Sequence, residues 1–257
     1  MRYLLLLALA LPSLGGAQTP WRLLETPDPP QSVTPNIFNG AETAEFPAVV
    51  VLTMTNSDDT RAVCSGTLIT PTAVLTAAHC LAFDPVRVAV TVRPTGTTRA
   101  DVYIASAFVS HPRFSLASVP VADVGIVRLA TPVANVQPLP LVSHTPRPRT
   151  RGVIVGYGDD GFGNFGDKRI GTVQLRRCPR GLHVQGTAVR LGKALCWRPT
   201  FGTSDTCSGD SGGPLIVDGG VAGVTSGGIG ATVCPGQLSF DTNVVRYRAW
   251  IASMLAP

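Results

Sequence analysis

No pair of cysteines in this chain is spaced C-x-x-C, no stretch beyond the first residues is long and apolar enough to cross a membrane, and no segment repeats another. The first absence speaks against a zinc site, for which closely spaced thiolates are the usual framework. The second leaves the mature protein without an internal membrane anchor, so it is read as soluble. The third removes repeat architectures. Charge is also scarce: 14% of residues are charged against 44% hydrophobic, a balance that suits a packed globular chain and excludes a disordered one. The net charge of +5 has no concentrated source. Its tightest cluster, Arg147-Pro148-Arg149-Thr150-Arg151, has no aromatic residue among its cations and reads as a solvated loop, not a nucleic-acid surface.

What is present begins with Met1-Arg2, an apolar run to Leu11, the breaker Pro12 and the small residues Gly15-Gly16-Ala17. That order is a secretory signal over residues 1–17, and it places the protein outside the cytoplasm, extracellular or periplasmic. The cysteines Cys64, Cys80, Cys178, Cys196, Cys207 and Cys234 then form an even set in an exported chain, which favours disulfides while leaving fifteen pairings open. Residues 18–36 are rich in proline and polar side chains without a periodic apolar face, an extended segment that packs little and is easily cut.

From Ala48 onward, short β-branched runs such as 49–52, 86–92, 125–129 and 221–224 alternate with turn residues, the pattern of an all-β barrel or sandwich. Prolines 132, 138, 140, 146 and 148 accumulate where two β halves would join, although a long edge loop would look the same. Only the tail changes period. Tyr247, Trp250, Ile251 and Met254 recur at three- and four-residue steps, so a terminal helix with one buried face is expected.

The chemistry turns on DTCSGDSGGPL, Asp205 to Leu215. Its glycines uncover backbone N–H groups and permit a tight bend, so Ser211 is either a presented nucleophile or a residue of an ordinary surface turn. A serine hydroxyl needs a positioned base, and the base needs an acceptor that fixes its tautomer. Of the four histidines, His79 in LTAAHC follows an apolar strand directly. Asp123 opens ADVGIVRL, where a partly buried carboxylate wants a hydrogen-bonding partner. Taken singly, His79 reads first as a packed core histidine and Asp123 as a strand-start cap.

Taken together, CSGTLI, LTAAHC, DVGIVRL and GDSGGPL, in that order, resemble the chymotrypsin-like, trypsin-type serine endopeptidases over 37–257. The resemblance implies an all-β fold of two antiparallel six-stranded β-barrels with the active site between them, and a C-terminal α-helix packed on the second. The first barrel would span about 37–135, the second about 136–244 and the helix about 245–255. It implies His79, Asp123 and Ser211 as the catalytic triad and the N–H groups of Gly209 and Ser211 as the oxyanion hole. It also implies disulfides Cys64–Cys80, Cys178–Cys196 and Cys207–Cys234. Asp205 would lie at the base of the primary pocket and select Arg or Lys, with Ser226 and Gly228 along the cleft binding substrate. Residues 18–36 become a propeptide, and cutting before Ile37 would free an amine to pair with Asp210. Protein or peptide substrates and an activating protease are the implied partners, with no cofactor, no metal, no nucleic acid, no membrane and a monomeric state. The alternatives are the same chemistry with a non-basic primary specificity, or a catalytically silent binding module.

Three departures from the family pattern stand out. Ser226-Gly227-Gly228 replaces Ser-Trp-Gly, removing an aromatic wall from the cleft, so the family's subsite preferences do not carry over. Ser239 aligns where the second pocket wall often has glycine, and its hydroxyl would narrow the pocket. Asn36 stands where many family zymogens carry Arg or Lys, so an enzyme selecting cations would not cut this bond itself. Removing residues 1–36 leaves the net charge at +5.

Overall fold

The computed structural model describes residues 37–93, 100–115, 122–158, 167–180, 182–184, 187–189, 191, 193–200, 203–229 and 236–256. The expected signal and propeptide segments, and Cys234, lie outside them.

After a two-residue strand β1 (Ala41–Glu42) come β2 (Val49–Thr55), β3 (Arg61–Thr70), β4 (Ala73–Thr76), β5 (Arg87–Val92), β6 (Asp101–Ser110) and β7 (Gly125–Leu129). Strands β2 to β7 close into a six-stranded barrel in the order β2-β3-β4-β7-β6-β5. Alternation drives it: in β2 (VVVLTMT), Val50, Leu52 and Met54 point into the core, where they pack with Leu68, Leu75, Val90 and Ile126. The second half comprises β8 (Arg151–Gly156), β9 (Arg169–Gln174), β10 (Leu182–Val184), β11 (Thr187–Val189), β12 (Ala194–Trp197), β13 (Pro214–Val217), β14 (Gly220–Ile229) and β15 (Leu238–Asn243).

Here the expectation of a second six-stranded barrel is corrected. Among the described residues the second half is a seven-stranded sheet in the order β1-β9-β8-β13-β14-β15-β12 that does not close, and β10 and β11 pair only with each other. Closure would require β9 to pair along β12. After Gln174 that contact shrinks to one bridge, Arg176 with Cys196, and Pro179 lacks the N–H that a longer ladder needs. The β9 edge is taken instead by β1, through Ala41–Ile170 and Glu42–Arg169.

The C-terminal element, a 3-10 turn at Val244–Tyr247 followed by α1 (Arg248–Leu255), differs from expectation in where it docks. Its helix packs on the first barrel, while the 3-10 turn before it also touches β14 of the second half. Val244 and Ile251 join that barrel's core, His111 is held edge-on by Tyr247 and Trp250, and Arg128 Nη2 of β7 donates to the Met254 carbonyl at 2.7 Å. The start of the described chain crosses the other way: Ile37 is fully buried in the core of the second half.

Disulfides Cys64–Cys80 and Cys178–Cys196 are formed, and Cys207 is also disulfide-bonded. The Cys178–Cys196 bond closes a loop of sequence separation 18. Loops of about this length lose roughly 3 kcal/mol of unfolded-state entropy when cross-linked. The double variant Cys178→Ser/Cys196→Ser is therefore expected to melt roughly 6–12 °C lower by calorimetry.

Candidate active site

The first barrel contributes a histidine and a carboxylate. β4 runs buried to Thr76 and the chain turns through a 3-10 segment, Ala78–Leu81, which sets His79 at the barrel mouth while Cys80 ties that turn to Cys64 of β3. Asp123 lies two residues before β7, after Ala122 at φ 55°. That left-handed conformation costs a non-glycine residue about 1 kcal/mol or more, and it aims Asp123 inward. The Asp123 carboxylate is fully buried and accepts three hydrogen bonds: Oδ1 from the His79 backbone N–H at 2.8 Å, Oδ2 from the His79 ring N–H at Nδ1 at 2.8 Å, and Oδ2 again from the Ser226 hydroxyl at 2.6 Å. With Nδ1 donating, Nε2 is left as an acceptor. The imidazole itself is a quarter exposed at 24%.

The second half brings Ser211 to the same place. Its carbonyl accepts from the Ser65 N–H of β3 at 2.8 Å and lies 3.7 Å from Cys80 Sγ, next in sequence to His79. The loop beneath it turns through Gly209 at φ 87° and Gly212 at φ 82°, values that favour glycine. At Gly212 a Cβ would also have no room between Thr76 and the Ser65 carbonyl. Gly212 N donates to Thr225 O at 2.8 Å and Thr225 N to Gly213 O at 2.9 Å, which fastens the loop to β14.

Beyond Thr225, β14 pairs only with β15 among the described residues, so the other edge of Ser226 and the exposed Gly228 is open to the cleft. The Ser226 hydroxyl on Asp123 was not foreseen from sequence, which marked the residue for substrate contact; nothing local in SGG points to it.

Asp205 is fully buried. Its Oδ1 accepts from the Ser239 hydroxyl and its Oδ2 from the Gly236 N–H at 2.7 Å. Burial pushes this carboxyl up, and those donors pull it back; Trp197 lies close enough to help without a hydrogen bond of good geometry. Two residues from Ser239 on β15, Asp241 is also fully buried, and neither of its oxygens has a partner in hydrogen-bond geometry. Burial first and the charge of Asp205 second push Asp241 well up, with Thr225, its cross-strand neighbour, acting in the opposite direction. Among the described residues neither acid has a salt-bridging cation. The sequence analysis did not single out Asp241.

Asp210, buried beside Ser211, accepts at Oδ2 from Cys207 N at 2.8 Å and at Oδ1 from Gly158 N at 2.9 Å, and the Ile37 backbone N–H also donates to it. Burial nonetheless raises this carboxyl to about 7. Ile37 itself has φ 40°.

Cys64, His79 and Cys80 cluster as metal ligands would, but both sulfurs are shared in the disulfide and offer no thiolate. No helix among the described residues is long and apolar enough to cross a membrane.

Comparison with known proteins bears on the same residues. The sequence model of the family described as Trypsin matches residues 37–251. Snake venom serine protease BPA of Bothrops jararaca is 34% identical over 206 residues, covering 75% of this chain and 78% of that one. Trypsin of Phaedon cochleariae is 27% identical over 202 residues, covering 73% and 77%. In fold, the solved structure of neuropsin, a serine protease expressed in the limbic system of mouse brain, superposes with a TM-score of 0.69 over 84% of this chain and 99% of that one, at 24% identity.

Proposed function

The chain belongs to the trypsin family of serine endopeptidases, and from that premise we propose that His79, Asp123 and Ser211 perform its hydrolysis through an acyl-enzyme. Ser211 Oγ attacks the scissile carbonyl while His79 Nε2 takes the proton and returns it to the leaving amine. Asp123 holds the tautomer that leaves Nε2 free and stabilises the imidazolium. The N–H groups of Gly209 and Ser211 receive the oxyanion, and the substrate backbone lies against the open edge at Ser226 and Gly228 as an added strand. The observation that carries this reading is the fully buried Asp123 carboxylate gripping His79 by both its backbone and its ring. A fluorophosphonate probe is expected to label Ser211, and to label neither Ser211→Ala nor His79→Ala; labelling that survives both changes sinks the assignment.

Cleavage after Arg or Lys is supported by two buried carboxylates, Asp205 and Asp241, that lack a cation among the described residues. An arriving guanidinium or ammonium would relieve a charge that burial makes costly. Breaking such a buried pair costs about 3–5 kcal/mol, so Asp205→Ser is expected to lower kcat/KM for an Arg peptide by roughly 10²–10³ and to erase its advantage over Phe and Ala peptides. One observation favours specificity for an uncharged side chain instead: the Ser239 hydroxyl and Gly236 N–H already occupy the Asp205 oxygens. Ser239→Gly separates the readings, since opening the pocket should raise the Arg rate severalfold only where Asp205 receives cations. Export fits the disulfides, which persist in oxidising compartments.

A further inference from the structure

We propose that Ser65 is a positioning residue that steadies the two oxyanion-donor residues from the opposite half of the molecule, Ser211 through its backbone N–H and Gly209 through its hydroxyl. The proposal rests on Gly209 and Ser211 supplying those donors. Ser65 is fully buried on β3, beside Cys64. Its backbone N–H donates to the carbonyl of Ser211 at 2.8 Å, and its side-chain hydroxyl donates to the carbonyl of Gly209 at 3.0 Å. One residue therefore holds the carbonyls of both residues whose N–H groups face the reaction.

The hydroxyl has a single proton, given to Gly209, and its oxygen accepts from Tyr157 N–H at 3.0 Å, where β8 ends. The Ser65 carbonyl accepts from Thr76 Oγ1 at 2.9 Å, at the end of the strand that leads to His79. Gly209, at φ 87°, has no Cβ to restrict its torsions, so an external bond must fix the plane of the peptide that follows it. The Gly209 N–H itself belongs to the peptide before its Cα, so anchoring the Gly209 carbonyl fixes the far side of that Cα and limits the rotation about its N–Cα bond by which the donor would turn away from the oxyanion.

Ser65→Ala keeps the backbone bond to Ser211 and removes only the hydroxyl. Complete removal of an oxyanion donor costs about 10²–10³ in kcat, and a donor loosened rather than removed is expected to cost on the order of tenfold. The measurement uses the processed enzyme, with sites counted by a burst titrant so that misfolded protein does not enter. Per active site, kcat should fall about tenfold with KM unchanged. The affinity of a peptidyl boronate, which forms the tetrahedral adduct, should fall by the same factor, while a product-like competitive peptide binds as before. Ser65→Thr, which retains the hydroxyl, should recover kcat per titrated site. An unchanged kcat in Ser65→Ala overturns the proposal, and so do boronate and peptide affinities that fall together, since that pattern marks general loosening of the cleft. A wild-type chain that shows no burst at all would count against the acyl-enzyme reading on which the proposal rests, a different failure.

Discussion

Asp123→Asn is expected to lower kcat by about ten-thousandfold with KM little changed, a magnitude taken from the equivalent change in the type enzyme of this family and not from the present geometry. The geometry gives the reason. Oδ1 faces the His79 backbone N–H, a donor that cannot reverse, so the amide nitrogen must take the place of Oδ2. There it meets the Ser226 hydroxyl, which can turn and accept, and the imidazole Nδ1, which must then accept too. Nε2 is forced to carry the proton, and Ser211 loses its base. The substitution preserves shape, so the thermal midpoint should hold. A variant that keeps normal kcat while remaining folded would show that Asp123 has no part in catalysis.

The second large effect concerns the bond before Ile37. Cleavage there would convert the backbone N–H that now donates to Asp210 into an ammonium, and the buried carboxylate would gain a counter-charge. The strain at Ile37, a β-branched residue at φ 40°, also vanishes, because its steric source is the carbonyl that cleavage removes. Breaking a buried pair costs about 3–5 kcal/mol, so Asp210→Asn in the cut enzyme is expected to leave roughly 10⁻² to 10⁻³ of the activity. Ile37→Pro, introduced to resist cutting, should leave the secreted chain without burst titration. In the uncut protein the pH dependence has the opposite sense. With the folded carboxyl raised to about 7 from 3.8, the folded state holds a proton that the unfolded chain has released. Stability therefore falls as pH rises from about 4 to about 7 and levels off above. Asp210→Asn sets an amide nitrogen against one of the backbone donors, a cost independent of pH, so in the uncut chain its melting temperature relative to the unsubstituted protein should be higher at pH 8 than at pH 4. A difference of equal size at both pH values would remove Asp210 as the titrating group.

Much of the first barrel was legible locally. Runs 49–52 and 125–129 fall within or on β2 and β7, because alternation and β-branching are nearest-neighbour properties. Whether the second sheet closes depends on how far β9 pairs beside β12, a long-range register that no short window encodes. Helix docking was misread for a related cause: period shows that one face of α1 is buried, not which barrel buries it. At the site, motifs drew the eye to His79, Asp123, Ser211 and Asp205. The Ser65 hydroxyl, and the carboxylates that the Ser226 and Ser239 hydroxyls reach, stayed hidden because serine is common and each acts on a partner 34 to 144 positions away.

The two ends of the described chain change sides. Residues 37–42 complete the second half, through Ile37 in its core and β1 on its edge, whereas the closing helix seals the first. Each lobe is thus finished by a tail that belongs, in sequence, to the other. Neither lobe produced separately would carry its own closing piece, so independent production of a stable half requires the tails to be exchanged, with 37–42 joined to the later strands and 244–255 to the earlier ones.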